Sequence, residues 1–71
     1  MRINAAEKLR VIMRRNNITM TDLAKATNQS RQNLSNKMRN ANFTEKEIHR
    51  LAEGLGCTAD VVFTLPDGTQ I

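Results

Sequence analysis

The chain has 71 residues, which allows one domain with a small core, because a domain this short buries only about 60% of its unfolded surface. Apolar residues make up 39% of the chain, with two Phe and neither Trp nor Tyr, so short packed helices are favoured over a β-sandwich. The apolar runs are too short for a signal peptide or a membrane span, so we expect a cytoplasmic protein with no membrane partner.

The net charge of +4 is unevenly distributed along the chain. The first forty residues hold nine Lys or Arg against two acidic residues, a net of +7, whereas the remaining 31 hold two against five, a net of −3. This polarity favours a polyanionic partner, either nucleic acid or an anionic membrane surface. The alternative is solvated charge that only aids solubility.

Helix 1 is predicted at about 5–16. Asn4 and Glu7 have the spacing of a capping box, and apolar residues follow at helical spacing. Asn16 and Asn17 should end the helix, because Asn tolerates the left-handed backbone conformation found just past a helix terminus.

Helix 2 is predicted at about 20–27, after a second start signal formed by Thr19 and Asp22. The residues expected to face the interior are Leu23, Ala24 and Ala26. Asn28 then stands where a tight turn needs a positive φ, and Ser30 can cap a third helix. We therefore expect two short helices in close succession.

Helix 3 is predicted at about 31–38, and residues 40–43 are predicted as a loop. Thr44 and Glu47 then have the spacing of a further capping box. The helix that they open carries apolar Ile48, Leu51, Ala52 and Leu55 at helical spacing. Gly56 should close this helix, because glycine readily adopts the left-handed conformation.

The tail over residues 58–71 is predicted as a short β-hairpin. Val61, Phe63 and Leu65 alternate with other residues, and the sequence from Pro66 to Gly68 is typical of a turn. A lone hairpin is marginally stable in water, so it should pack on the helices, pair with a second chain, or do both. Whether 58–63 forms a strand or a fifth helix stays open.

Helix 3 combines a narrow apolar side with a polar outer face. Leu34 and Met38 fall on one side, and the opposite side carries Gln32, Asn33, Asn36 and Arg39, with Arg31 and Ser35 at its edge. Amides pair bidentately with adenine and guanidinium groups with guanine, so this face could bind in a major groove. Residues 23–44 contain no Asp or Glu that would repel phosphate.

These segments resemble the helix-turn-helix domains of the Xre and Cro/phage-repressor family. The matching residues are Leu23-Ala24, Asn28, Ser30, Leu34, Leu51-Ala52 and Leu55-Gly56, and the resemblance spans about 5–57. It implies a mainly all-α, lambda-repressor-like domain of four to five helices over 1–57. The hairpin tail 58–71 would follow as a candidate dimer element.

Three positions depart from the family pattern. Asn28 replaces the usual turn glycine, and Met20 replaces a glutamine that often touches phosphate, so Thr19 or Thr21 would take over that contact. Many relatives also pair an Arg on helix 1 with a Glu late in helix 3. Here Met13 and Met38 stand at those positions, which predicts an apolar contact instead.

The resemblance implies a homodimer on a palindromic operator in double-stranded DNA, with half-sites about 34 Å apart. Ser30, Arg31, Gln32 and Asn36 would face base edges, with Asn33 and Ser35 nearer the flanks. The phosphate donors implied are Thr19, Thr21, Lys37, Arg39, Asn40 and Asn42.

The function expected is transcription regulation, in the form of a repressor of phage or mobile-element type. The alternative is an antitoxin-type interaction module that also binds its own promoter. We expect no enzyme, cofactor, metal site or small-molecule substrate, because the sequence offers no nucleophile and base set and no phosphate loop. His49 is interpreted as surface and Cys57 as a small packed residue, whereas Arg14 and Arg15 either touch DNA backbone or point to water.

Overall fold

The computed structural model describes residues 4–71 and contains four helices in that range. They are α1 (Ala5–Arg15), α2 (Met20–Ala26), α3 (Arg31–Asn40) and α4 (Glu45–Gly54). The mainly all-α class is therefore confirmed. The first three residues of the predicted domain 1–57, among them the basic Arg2, lie outside the described residues. Within 4–71, no helix has the length and apolar character needed to cross a bilayer.

All four helices begin where the capping signals predicted. The side-chain oxygens of Asn4, Thr19, Ser30 and Thr44 accept the amide three residues further on, at 2.9, 3.1, 3.0 and 3.1 Å. In α2 the capping box is complete, because an Asp22 carboxylate oxygen also accepts the Thr19 amide at 3.1 Å. These bonds satisfy amides that a helix leaves without an intrahelical partner.

The capping box predicted for Thr44 and Glu47 forms only in part. Thr44 Oγ1 accepts the Glu47 amide, but the Glu47 carboxylate turns away from its own helix terminus toward α3. Its Oε1 atom lies 2.9 Å from Lys37 Nζ. The capping-box spacing predicted that the Glu47 carboxylate would accept the Thr44 amide. It pairs instead with the Lys37 ammonium of α3.

Each of the four helices is followed by one residue in the left-handed conformation. Asn17 and Asn28 have φ of 53° and 56°, as expected for the ends of helices 1 and 2, and Gly56 has φ of 72° just beyond α4. Helix α3 runs two residues further than predicted and ends at left-handed Ala41, with φ of 50°. Basic residues in its last turn favour this extension, because they interact well with the negative end of the helix dipole.

The core forms one cluster to which all four helices contribute, and α2 packs against both α3 and α4. Its buried members are Ala6, Leu9, Met13, Leu23, Ala24, Leu34, Met38, Leu51 and Leu55. Met13 and Met38 are both members of this cluster, and a direct contact between them stays a prediction. Ala26 was wrongly assigned to the inner face of α2 and is exposed. Thr27 is buried in the next position, and its Oγ1 donates to the Leu23 carbonyl at 2.8 Å.

The tail forms a hairpin over residues 63–71, shorter than the predicted 58–71, and leaves its apolar side chains largely exposed. Phe63 and Ile71 exchange two backbone hydrogen bonds of 2.8 and 2.9 Å, and the Leu65 amide donates to the Thr69 carbonyl at 2.8 Å. Residues 58–63 contain no helix, so the fifth-helix alternative is wrong. Phe63 remains 68% exposed and Ile71 75% exposed, so the hairpin does not pack its apolar residues on the helices.

Candidate nucleic-acid interface

Helix α3 separates a fully buried side from an exposed polar side. Leu34 and Met38 are 0% and 2% exposed, which anchors the helix in the core. Gln32, Asn36 and Arg39, which lie on the opposite side at 100° per residue, are all exposed. The polar groups therefore stand on a helix whose rotation about its own axis is set by packing.

The turn between α2 and α3 is held by backbone bonds as well as by packing. With left-handed Asn28 at its centre, the Gln29 amide donates to the Ala24 carbonyl at 3.0 Å and Asn28 donates to Lys25 at 3.2 Å. Ser30 then caps α3. The short turn thus fixes the direction in which α3 leaves α2.

A chain of side-chain hydrogen bonds reinforces this turn. Buried Thr27 accepts from Gln29 Nε2 at 2.8 Å, and Gln29 Oε1 accepts from Asn33 Nδ2 at 3.0 Å. The side-chain amide of Asn33 therefore already forms a hydrogen bond, on the flank of α3 that is near the turn. Helical geometry places Asn33 to one side of Gln32 and Asn36 on the surface of α3.

Lys37 lies on the same flank of α3 and pairs with Glu47 of α4. The two side chains are 30% and 31% exposed, and the hydrogen bond from Lys37 lowers the pKa of the Glu47 carboxyl. The second carboxylate oxygen, Oε2, is buried and has no hydrogen-bond partner among residues 4–71. Lys37 is thus directed toward α4, a placement that its position in the sequence alone did not predict.

The predicted site residues fall into two exposed groups and a few partly covered positions. Of the residues expected to face bases, Ser30, Arg31, Gln32, Asn33 and Asn36 are exposed and Ser35 is half-buried. Of the expected phosphate donors, Thr19, Thr21, Arg39, Asn40 and Asn42 are exposed, whereas Lys37 is half-buried. Thr19 and Thr21 stand at the start of α2, and Asn40 and Asn42 stand at the end of α3.

Two features of this region were missed by sequence reasoning. Glu47 was assigned only a capping role, because its partner becomes apparent only once α4 is placed beside α3. Arg10 received no role, although it lies one helical turn before Arg14 and both side chains line an open cleft beside Thr19. The (i, i+4) spacing of the two arginines was the available signal.

The remaining chemistry-bearing side chains do not converge. Across residues 4–71 no group of three His, Cys, Asp or Glu is placed to hold a metal ion. His49 Nε2 lies 3.6 Å from Glu45 Oε1 on the outside of α4. Cys57 is half-buried and packs against the core cluster, as interpreted from the sequence.

Two short helices joined by a tight turn, the second with an anchored inner side and a polar outer face, define a helix-turn-helix protein that binds double-stranded DNA. The chain belongs to the family of the Cro/C1-type HTH DNA-binding domain, whose sequence profile matches residues 8–66. No curated protein and no solved structure matches the chain.

Proposed function

We propose that this protein is a sequence-specific transcription regulator that inserts α3 into the major groove and acts in the cytoplasm as a repressor of phage or mobile-element type. The observation that carries the proposal is the exposed row Gln32, Asn36 and Arg39, directly opposite the fully buried Leu34. Amide and guanidinium groups held at fixed positions can pair with base edges. A repressor of this kind acts by occluding a promoter.

Base recognition is assigned first to Gln32 and Asn36, whose amides point away from the core. Ser30 and Arg31 at the first turn of α3 would reach neighbouring base edges, and Ser35 would contribute at the edge of the row. Asn33 has fewer groups left for base recognition, because its Nδ2 atom already donates to Gln29. The side-chain oxygen of Asn33, Oδ1, would accept a hydrogen bond from a base amino group at the flank of α3.

Backbone phosphates would be held at both ends of the helix pair. Thr19 and Thr21 stand at the start of α2, and Arg39, Asn40 and Asn42 continue the contact at the end of α3. Lys37 would contribute less to phosphate binding than its charge suggests, because its ammonium lies 2.9 Å from the Glu47 carboxylate, which compensates that charge. Phosphate contacts of this kind position the protein and make its affinity depend on salt.

The regulator would bind a palindromic operator as a homodimer joined through the tail 58–71. One recognition helix covers only a few base pairs, so two copies related by a twofold axis would be needed for specificity. Support for the tail as the joining element comes from its apolar Phe63 and Ile71, which are 68% and 75% exposed.

The test is selection of bound sequences from random duplex DNA, followed by substitution of the row. We expect a palindromic motif, and we expect Gln32→Ala and Asn36→Ala each to cost about 1 to 3 kcal/mol on the selected site and little on random DNA. Asn42→Ala is the matched amide control and should weaken binding to both duplexes equally. Equal losses on both duplexes for all three variants would refute the base-reading assignment.

A further inference from the structure

An open cleft of about 460 Å³ lies between the end of α1 and the start of α2. Its lining residues are Arg10, Met13, Arg14, Asn17, Ile18 and Thr19. We propose that this cleft binds a backbone phosphate of the DNA duplex, with the guanidinium groups of Arg10 and Arg14 as the principal ligands. The proposal rests on the proposed function, because it adds a contact to the same protein–DNA complex.

Arg10 and Arg14 carry positive charge that no ion pair within residues 4–71 compensates. Both side chains are exposed, and the two residues lie one helical turn apart. Like charges at this spacing destabilise a helix, so an anion between them would relieve their repulsion. A phosphate suits this position, because guanidinium groups bind its oxygens bidentately.

The wall of the cleft opposite the two arginines offers polar groups that can donate hydrogen bonds to an anion. Thr19 Oγ1 accepts the Asp22 amide at 3.1 Å, and its hydroxyl proton remains available for donation to an anion. The Asn17 side chain adds an amide group at the rim. Among the described residues no carboxylate lines the cleft, and the Asp22 carboxylate is directed to the Thr19 amide at 3.1 Å.

Packing against the core holds the wall of the cleft in place. Met13, on the cleft wall, is 7% exposed and belongs to the core cluster that also holds Leu34 and Met38, and Ile18 packs against that cluster. The inner side of α3 and the wall of the cleft are therefore parts of the same core cluster. A phosphate bound there would be held at a fixed distance from the bases that α3 reaches.

The distribution of free cations favours this site as well. On α3 the Lys37 ammonium is paired with Glu47, which leaves Arg31 and Arg39 as the cations of that helix without an ion pair in residues 4–71. Arg10 and Arg14 therefore add two cations without an ion pair on a different helix, where they are available to another stretch of the DNA backbone. An open cleft fits a phosphate that is part of a chain better than a small enclosed anion.

The experiment measures duplex binding by fluorescence anisotropy between about 50 and 200 mM salt. The variants are Arg10→Gln and Arg14→Gln, and the matched control is Arg15→Gln, an exposed arginine of the same helix that does not line the cleft. We expect each cleft variant to reduce the slope of log K against log salt, by at most about 0.9 for each bound protomer because the two arginines share one phosphate, equally on selected and random duplexes. The control should leave the slope unchanged.

Two results would overturn the proposal. Unchanged slopes in both cleft variants would show that no phosphate is bound there, and equal reductions in all three variants would show that only general positive charge matters. Circular dichroism should show wild-type helicity throughout, because all three side chains are exposed. If instead the wild-type protein bound selected and random DNA equally while the cleft variants still lost slope, the proposed sequence specificity would fail and the cleft would stand.

Discussion

At the scale of single residues, the exposed charge of a side chain depends on its neighbours in space. Lys37 and Arg39 are both basic residues in the last turn of α3, but only Lys37 has an acidic partner within residues 4–71. The helical spacing of Leu34 and Met38 was sufficient to predict which side of α3 is buried. It could not predict the Lys37 partner, because that depends on where α4 packs.

The pairing gives a direct prediction for Lys37. Lys37→Gln should leave the salt dependence of duplex binding nearly unchanged, because its ammonium already has a counter-ion, whereas Arg39→Gln should reduce the slope by about 0.9 for each bound protomer. Salt titrations of binding by anisotropy would measure both. In a Glu47→Gln background, Lys37→Gln should have a different effect on affinity from its effect in the wild type, since the pair no longer exists. Identical effects in both backgrounds would show that the two residues act independently.

At the scale of elements, the helix starts were predictable and the helix ends less so. An N-cap depends on a side chain and an amide three residues apart, as at Thr19 and Ser30, so the sequence contains both partners. The end of α3 depends on a backbone change at Ala41, a residue type that rarely adopts a positive φ. Alanine at position 41 does not indicate a helix end, so the two additional residues of α3 were not predicted.

Gly56, just beyond α4, should be needed for its left-handed backbone conformation and not for lack of space. Nothing lies within 4 Å of the position that a Cβ would occupy, so Gly56→Ala should lose stability through its backbone conformation alone, at φ of 72°. We expect a loss of about 1 to 2 kcal/mol, which lowers the melting temperature by several degrees. Gly56→Asn is the matched control and should lose less, because Asn tolerates this conformation. A wild-type melting temperature for the Ala variant would contradict the expected strain.

At the scale of the whole molecule, the core and the tail differ in how they are stabilised. The buried cluster is drawn from residues 6–55, whereas every residue from 60 to 71 is exposed. The sequence pattern predicted the hairpin and its turn correctly. It could not decide between packing on the helices and pairing with a second chain, because both use the same alternating apolar residues.

Removal of residues 60–71 should therefore convert the proposed dimer into a folded monomer with weak affinity for the proposed operator. Sedimentation would measure the mass, and thermal melting would show that the helical core remains folded. Phe63→Ser should weaken the dimer, because Phe63 shares the apolar face of the hairpin with Ile71. Val62→Ser, on the other face of the same strand, is the control. An unchanged dimer after the deletion would place the interface elsewhere.

The hairpin also has a practical consequence for handling the protein in solution. Phe63 and Leu65 direct their amides to the second strand, so the amides of Val62 and Thr64 point to the outer edge. Unpaired edge groups beside exposed apolar side chains are able to template further strands, which promotes aggregation. We therefore expect concentrated samples to form open-ended assemblies unless this edge is occupied, and a charged residue introduced at Thr64 should improve their shelf life.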